Sequence, residues 1–396
     1  MGRVFITGMG AISAIGDDVA ENHTALIQGR CGITVMQRFS SRYSGLLPFG
    51  EIHTGTDELK ESLKVSDAGV TRTSLLALHA FREAISDAGL TLPEISSSDT
   101  ALVGATTVGG ICLTDELYRD ANSKTGSSPF YSSYDCASVN LYLQDHYKLN
   151  GMVNTINTAC SSSANAIMYG ARLIKNGLTR KAIVGGADSL AKFTINGFNA
   201  LQILSPEVCM PFDQNRKGLN LGEGAAFLIL EREEDLAGKK VYAELTGYFN
   251  SNDAFHPSSL SEEGDGPFLA MKGALDSARL DYGQIDFINA HGTSTENNDE
   301  AESRAMIRLF GEPPPFASTK SNTGHTLGAS GALEAAYSIL NLEHQEIYAG
   351  LNFKQPMATT GLRPVQVYKK IALTHVMSNS FGFGGNCTSL IFSKAC

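Results

Sequence analysis

A cysteine and two histidines are the residues of this chain best placed to do chemistry. Cys160 lies in Thr158-Ala-Cys-Ser-Ser-Ser163, where a short apolar–polar alternation from Val153 passes through small residues into a helix carrying Ile167, Ala171 and Ile174 on one face. A sulfur at such a junction meets unpaired backbone N–H groups and the positive end of the helix dipole. Both favour thiolate over thiol, which predicts a nucleophile. A buried core cysteine fits the same pattern. His291 follows the apolar stretch Ile285–Asn289 and opens Gly-Thr-Ser-Thr-Glu-Asn-Asn-Asp299, and His325 sits within the Gly/Thr/Ser-rich run Ser318–Glu334. Either histidine alone reads as a structural residue. A pair at related strand ends beside a cysteine points to chemistry. Zinc is the competing account for one Cys and two His, but neither H-E-x-x-H nor C-x-x-C spacing occurs.

An internal repeat positions these residues. Ala84-Ile-Ser-Asp-Ala-Gly-Leu90 matches Ala274-Leu-Asp-Ser-Ala-Arg-Leu280, and each precedes a loop and a buried strand, at Ala101–Val103 and at Ile285–Asn289. Gly222-Glu-Gly-Ala-Ala-Phe-Leu-Ile-Leu230 parallels Gly384-Gly-Asn-Cys-Thr-Ser-Leu-Ile-Phe392, and the entry to the Cys160 helix parallels Ser318–Glu334. Matches in the same order predict a duplicated α/β unit, with halves at 1–245 and 246–396. Equivalent loops of duplicated halves meet at one junction, which gathers Cys160, His291 and His325.

The remaining features narrow the function class. The chain has 396 residues, 42% hydrophobic and 18% charged, and a formal charge of -10, which argues against nucleic acid as its main partner. Seven cysteines, odd in number and without paired spacing, predict a reduced, cytoplasmic setting. No apolar run is long enough to span a bilayer and no signal peptide opens the chain, so membrane insertion is not expected. Gly8-Met-Gly10-Ala-Ile-Ser13-Ala-Ile-Gly16 looks at first like a dinucleotide fingerprint, but its third glycine is displaced and no terminal acid follows a second strand. It reads instead as a tight strand-to-helix turn. Leu75, Leu78, Phe81 and Ile85 predict a helix ending near Gly89, and residues 120–137 a polar surface excursion.

The ordered motifs resemble one family, the β-ketoacyl-acyl carrier protein synthases, which are condensing enzymes of the thiolase fold. Thr158–Ser163 is similar to the nucleophile motif, Asn289-Ala-His-Gly-Thr-Ser-Thr295 to the first histidine motif and Lys320-Ser-Asn-Thr-Gly-His325 to the second. Asn379-Ser-Phe-Gly-Phe-Gly-Gly385 resembles the family's mobile glycine loop, and Pro211–Gly224 is shared as well. The likeness runs from Val4 to Phe392, and two histidines resemble the elongating synthase II type rather than the Cys-His-Asn initiating type.

The resemblance implies a layered αβαβα fold. It implies that Cys160 accepts an acyl chain, that His291 and His325 support decarboxylation of malonyl carrier protein, and that Lys320 and Glu334 form a buried pair orienting them. The backbone N–H groups of Cys160 and Phe383 would form the oxyanion hole, Thr293 and Thr295 would hold the pantetheine arm, and Val108 and Phe198 would line the acyl pocket. Gly382, Phe383, Gly384 and Gly385 would form the gate. No cofactor or metal is expected. The implied partners are acyl carrier protein and a second copy of the chain or a homologous chain-length-factor subunit, with Lys60, Lys64, Arg72, Arg119 and Lys124 as candidate docking bases. Fatty acid elongation is the first pathway reading and a polyketide or polyene system the second. A non-catalytic partner subunit is the third, and retention of all three reactive residues argues against it. Ser161–Ser163, Asn386 and Val108 depart from the usual family pattern, so the serines are expected to bear on substrate choice, and the hydrogen bonding behind the gate stays open.

Overall fold

The first strand shows how the layers are built. β1 (Val4–Ser13) is buried along its whole length. Val4, Ile6, Met9 and Ala11 face one apolar layer, and Ile12 faces another. A strand covered on both sides reads as a continuous apolar run. Gly8 and Gly10, expected in a turn, lie inside this strand. A Cβ on Gly8 would stand 2.6 Å from the Ala84 carbonyl oxygen, and one on Gly10 would overlap that of Ala80. Glycine here lets α1 (Arg72–Asp87) lie directly on β1. The turn comes later, where Ser13 and Gly16 bond each other. α1 ends as expected, with Gly89 at φ +62°.

The computed structural model describes residues 2–236 and 238–395, so Cys396 lies outside the described residues. The first half continues with β2 (Thr100–Ala105), α2 (Ser138–Tyr147), β3 (Val153–Ile156), α3 (Ser162–Lys175), β4 (Lys181–Asp188) and β5 (Gly224–Arg232). The second comprises β6 (Ala243–Asn252), α4 (Asp265–Ala278), β7 (Phe287–Asn289), α5 (Glu296–Phe310), β8 (Phe316–Ala317), α6 (Ser330–His344), β9 (His375–Phe381) and β10 (Asn386–Ser393). Strand order is β8-β7-β9-β10-β6-β1-β5-β4-β2-β3. Each strand of one half therefore has its counterpart equally far from the β6/β1 junction, where Phe5 pairs with Glu244 and Ile6 with Ala243. The duplication read from short matches is thus the symmetry of the fold. The expected division after residue 245 falls inside β6.

Helices fill three layers. α1 and α2 cover the outer face of the first five strands through Leu75, Phe81 and Leu143 against Ile183, Phe227 and Ile229. α4 and α5 cover the second five, with Met271 and Met306 packed beside Ile288, Met377 and Ile391. α3 and α6 form the central layer, buried almost all round. Burying each large apolar side chain contributes roughly 1.5–3 kcal/mol. The central layer, rather than helix propensity, therefore sets where these two helices begin. Their N-termini meet: a Cβ on Gly331 would lie 2.7 Å from Ala164 N, and Ala332 N–H donates to Ser163 Oγ at 2.8 Å. Among the described residues no helix is long and apolar enough to cross a membrane.

Candidate active site

Cys160 sits between β3 and α3, on a turn whose preceding residue, Ala159, has φ +54°. A β-carbon is unfavourable there, so neighbouring bonds must hold the turn. Ser161 Oγ lies 2.8 Å from the Thr158 carbonyl, and Thr158 N–H donates to Ser162 Oγ at 2.9 Å. The thiol is left 6% exposed.

His291 follows β7, and His325 precedes α6. Their rings meet edge to face, with centroids 5.4 Å apart, and one ring nitrogen of each lies within 4.8 Å of the other and of the Cys160 sulfur. The histidines' second nitrogens show what they present. Leu327 N–H donates to His325 Nδ1 at 3.2 Å, and the Lys320 ammonium lies 3.1 Å from His291 Nδ1. An ammonium or amide N–H can only donate, so both Nδ1 atoms accept, and each neutral ring carries its proton on Nε2. Burial, then the Lys320 charge, holds His291 and His325 well below the ordinary imidazole range, so both stay neutral. Two N–H donors thus face the sulfur.

Lys320 is itself fixed by the His291 carbonyl at 2.7 Å and by a short ion pair with Glu334, whose Oε1 also accepts from Ser330 Oγ at 3.0 Å. Both charged residues are buried. The expected pair is present, and it touches an imidazole directly.

The thiol corrects an expectation. Burial raises Cys160 to about 11, against the downward pull of Lys320 and of the Phe383 and Cys160 backbone N–H groups. The pull of the expected N–H groups is smaller than the push of desolvation. At neutral pH the group is a thiol.

Buried carboxylates brace the site, and sequence reasoning missed them. Glu302 accepts the N–H groups of His291 and Gly292, each at 2.8 Å, and burial pushes it up to about 7. Asp188, also fully buried, accepts from Thr107 and Val108 N–H and from Gly328 N–H at 2.7 Å, tying β4 to the loop before α6. Asp299 receives Phe212 N–H and Ser294 N–H. The available signal was an acid ending an otherwise apolar strand, as in Ala182–Asp188.

A cavity of about 440 Å³ opens onto the cysteine and both histidines. Thr293, Thr295, Phe198, Gly382 and Phe383 line it as expected. Phe198 stacks on Phe383 with centroids 5.7 Å apart. Val108 does not line it: fully buried, it packs with Leu219 and Leu327 behind the wall. Nor do the three serines reach the cavity. Ser161 and Ser162 hold the turn and Ser163 accepts from Ala332, so their hydroxyls are engaged in placing Cys160. In the loop Gly382–Gly385, Gly384 and Gly385 adopt φ +81° and +78°. Behind it, Asn386 Oδ1 accepts from Ser161 Oγ, Asn165 Nδ2 and Asn250 Nδ2, each at 2.8 Å, which answers the open question there. Among the candidate docking bases, Lys64, Arg119 and Lys124 are exposed and Lys60 half-buried. Arg72 is withdrawn. Its guanidinium bonds Glu223 at 2.7 Å and the Thr54 carbonyl at 3.0 Å, so it serves the fold.

A cysteine and two histidines this close have the spacing of a metal site. Their protonation does not suit one. A metal needs an imidazole lone pair, whereas both rings here turn N–H groups inward beside an ammonium.

Comparison with known proteins matches this geometry to a family. The beta-ketoacyl synthase N-terminal domain model matches residues 1–236, and the C-terminal domain model residues 242–354. The chain is 32% identical to 3-oxoacyl-[acyl-carrier-protein] synthase 2 of Vibrio harveyi, covering 99% of this chain and 98% of that one. It is 33% identical to the mitochondrial 3-oxoacyl-[acyl-carrier-protein] synthase of Arabidopsis thaliana, covering 99% and 93%. Among solved structures, the ishigamide ketosynthase/chain length factor aligns with a TM-score of 0.91 at 30% identity over 100% of both chains. A ketosynthase in complex with its chain length factor from Xenorhabdus doucetiae aligns at 0.87 and 32%, over 100% of this chain and 98% of that one. With family models over both halves and a paired-histidine, cysteine site where those halves meet, the chain belongs to the β-ketoacyl synthase family of thiolase-fold acyltransferases.

Proposed function

We propose that the chain catalyses a decarboxylative Claisen condensation between an acyl group on Cys160 and malonyl-acyl carrier protein. The observation that carries this reading is two inward Nε2–H donors beside one buried thiol. In the first step Cys160 attacks a carrier thioester. The C–S bond to the carrier breaks, and the cysteine proton ends on the departing carrier thiol. The backbone N–H groups of Cys160 and Phe383, both at the cavity wall, hold the tetrahedral oxyanion. In the second step the malonyl C–C bond breaks, CO₂ leaves, and the electron pair forms a thioester enolate. Its oxygen accepts the Nε2–H bonds of His291 and His325. The enolate carbon attacks the acyl-Cys160 carbonyl, expelling a thiolate that takes one proton from solvent. The product is a 3-oxoacyl carrier two carbons longer.

The bond being broken supplies the electrons, so the reaction needs no cofactor. Half 1–245 contributes the nucleophile and half 246–396 the two imidazoles; Lys320 and Glu334 orient them, Thr293 and Thr295 hold the pantetheine arm, Phe198 walls the pocket, and Gly382–Gly385 carries the gate residue Phe383. Fatty acid elongation in the cytoplasm is the leading setting, in line with the Vibrio harveyi relative. A polyketide or polyene ketosynthase is the second reading, favoured by alignment of the whole chain with a ketosynthase/chain length factor. Either reading uses a dimer, with a second copy or a homologous subunit. Edge strand β3 is only partly covered, and Tyr118, Tyr131, Tyr134, Leu141 and Met152 are exposed on nearby segments.

Incubation with acyl and malonyl carriers is expected to give the extended 3-oxoacyl carrier by mass spectrometry, and Cys160→Ala to abolish it. Undiminished product from that variant would overturn the assignment.

A further inference from the structure

Cys160 is 6% exposed and opens onto the cavity beside Gly382 and Phe383, where a Cβ on Gly382 would lie 3.2 Å from Cys160 N. Phe383, whose ring stacks on Phe198 at the cavity wall, is carried on a strap whose next residues, Gly384 and Gly385, both have positive φ. The strap closes where Gly382 N–H donates to the Asn386 carbonyl at 2.8 Å. Asn386 therefore fixes its base. Three donors converge on the Asn386 side-chain oxygen, from Ser161, Asn165 and Asn250. An amide oxygen has two lone pairs, so one donor is in excess. The releasable donor is Ser161. Its single hydroxyl proton has a rival acceptor, the Thr158 carbonyl, also at 2.8 Å.

We propose that Ser161 is a positioning residue for the condensation, its hydroxyl acting as a two-position latch between the nucleophile's turn and the Phe383 strap. Donating to Asn386, it ties the base of the Phe383 strap to the Cys160 turn. Donating to Thr158, it removes that tie and loosens the strap, which Gly384 N–H on the Pro257 carbonyl still anchors at its far side. Asn386 keeps its bonds to Asn165 and Asn250 in both positions, so release leaves no buried polar group without a partner. This role rests on the acyl-Cys160 reading above.

The test uses the full chain with Ser161→Ala, Ser161→Cys and Asn386→Asp. Hydrogen–deuterium exchange over residues 379–388 reads the strap without substrate. Loading from hexanoyl-pantetheine, followed by malonyl-pantetheine, reads how acyl-Cys160 divides between hydrolysis and condensation. Ser161→Ala is expected to speed strap exchange and raise the hydrolysis-to-condensation ratio, each by about fivefold, the loss of one net hydrogen bond. Ser161→Cys, a weaker donor of similar bulk, falls between. Asn386→Asp keeps the acceptor and stays within about twofold of the parent. Parent-like exchange and ratio in Ser161→Ala and Ser161→Cys, or an Asn386→Asp variant as loose as Ser161→Ala, would overturn the latch. Failure of the parent to load hexanoyl on Cys160 would instead defeat the reaction reading, with exchange still deciding the latch.

Discussion

Removing the Lys320 charge tests the donor arrangement most directly. The ammonium touches His291 Nδ1, the His291 carbonyl and Glu334, all buried. Lys320→Met alone strands the Glu334 carboxylate, at a cost of about 3–5 kcal/mol. That is a large part of a typical total stability of about 5–15 kcal/mol. Lys320→Met with Glu334→Gln removes both charges and is the variant to assay. Nothing then holds the His291 proton on Nε2, and one enolate donor is lost, which slows decarboxylation by about 10²–10³. Acyl transfer is expected to fall far less, because the two charges act on the Cys160 thiol in opposite directions. CO₂ release from malonyl-pantetheine reads decarboxylation, and intact mass of acyl-Cys160 reads acyl transfer. Decarboxylation within about threefold of the parent in a folded double variant, or an equal fall in both half-reactions, refutes the reasoning.

Three further outcomes are expected. Because Cys160 stands at about 11, its alkylation by iodoacetamide should rise roughly tenfold per pH unit through neutral and mildly alkaline pH; peptide mapping that shows a plateau near pH 7 would contradict the protonated thiol. His291 and His325 lie below their ordinary 6.5, so unfolding takes up protons: their stabilising effect is present above that pH and lost as pH falls, by up to about 2.7 kcal/mol per unit for the pair. Urea midpoints from pH 6.5 downward should therefore fall less steeply in a His291→Gln, His325→Gln variant, and parallel slopes would contradict it. Gly10→Ala forces a Cβ into the Ala80 carbonyl and should cost about 1–3 kcal/mol in urea unfolding, and an unchanged midpoint would show that α1 can give way.

The fold was legible wherever a residue's type reports its surroundings. The apolar runs in β4 and β5, and Leu390–Phe392 in β10, announce buried strands. The Cys160 and His291 motifs announce the site because each follows a strand end, and the His325 motif because its small residues lead into a helix. What stayed hidden depends on a distant neighbour. Gly8 and Gly10 mimic a turn because their reason is clearance for α1, some 70 residues on. Arg72 resembles a surface base until Glu223, 151 residues away, encloses it. The thiol looked acidic because helix and backbone effects are local, while the burial that outweighs them comes from the other half of the chain. Glu302 belongs to a helix rich in charged residues, and only the folded loop supplies the two N–H groups that hold it.

The mirror order of the strands has an evolutionary consequence. A protein made of one unit copied twice has two paralogous doorways into its central layer, at the starts of α3 and α6. One came to hold sulfur and the other imidazole. The imidazole doorway is woven into the scaffold through Leu327, Lys320 and Glu334, whereas among the described residues no side-chain hydrogen bond holds the sulfur. A gene duplicate could therefore lose its thiol in a single step and still fold, leaving a silent sibling shaped to pair with its reactive twin.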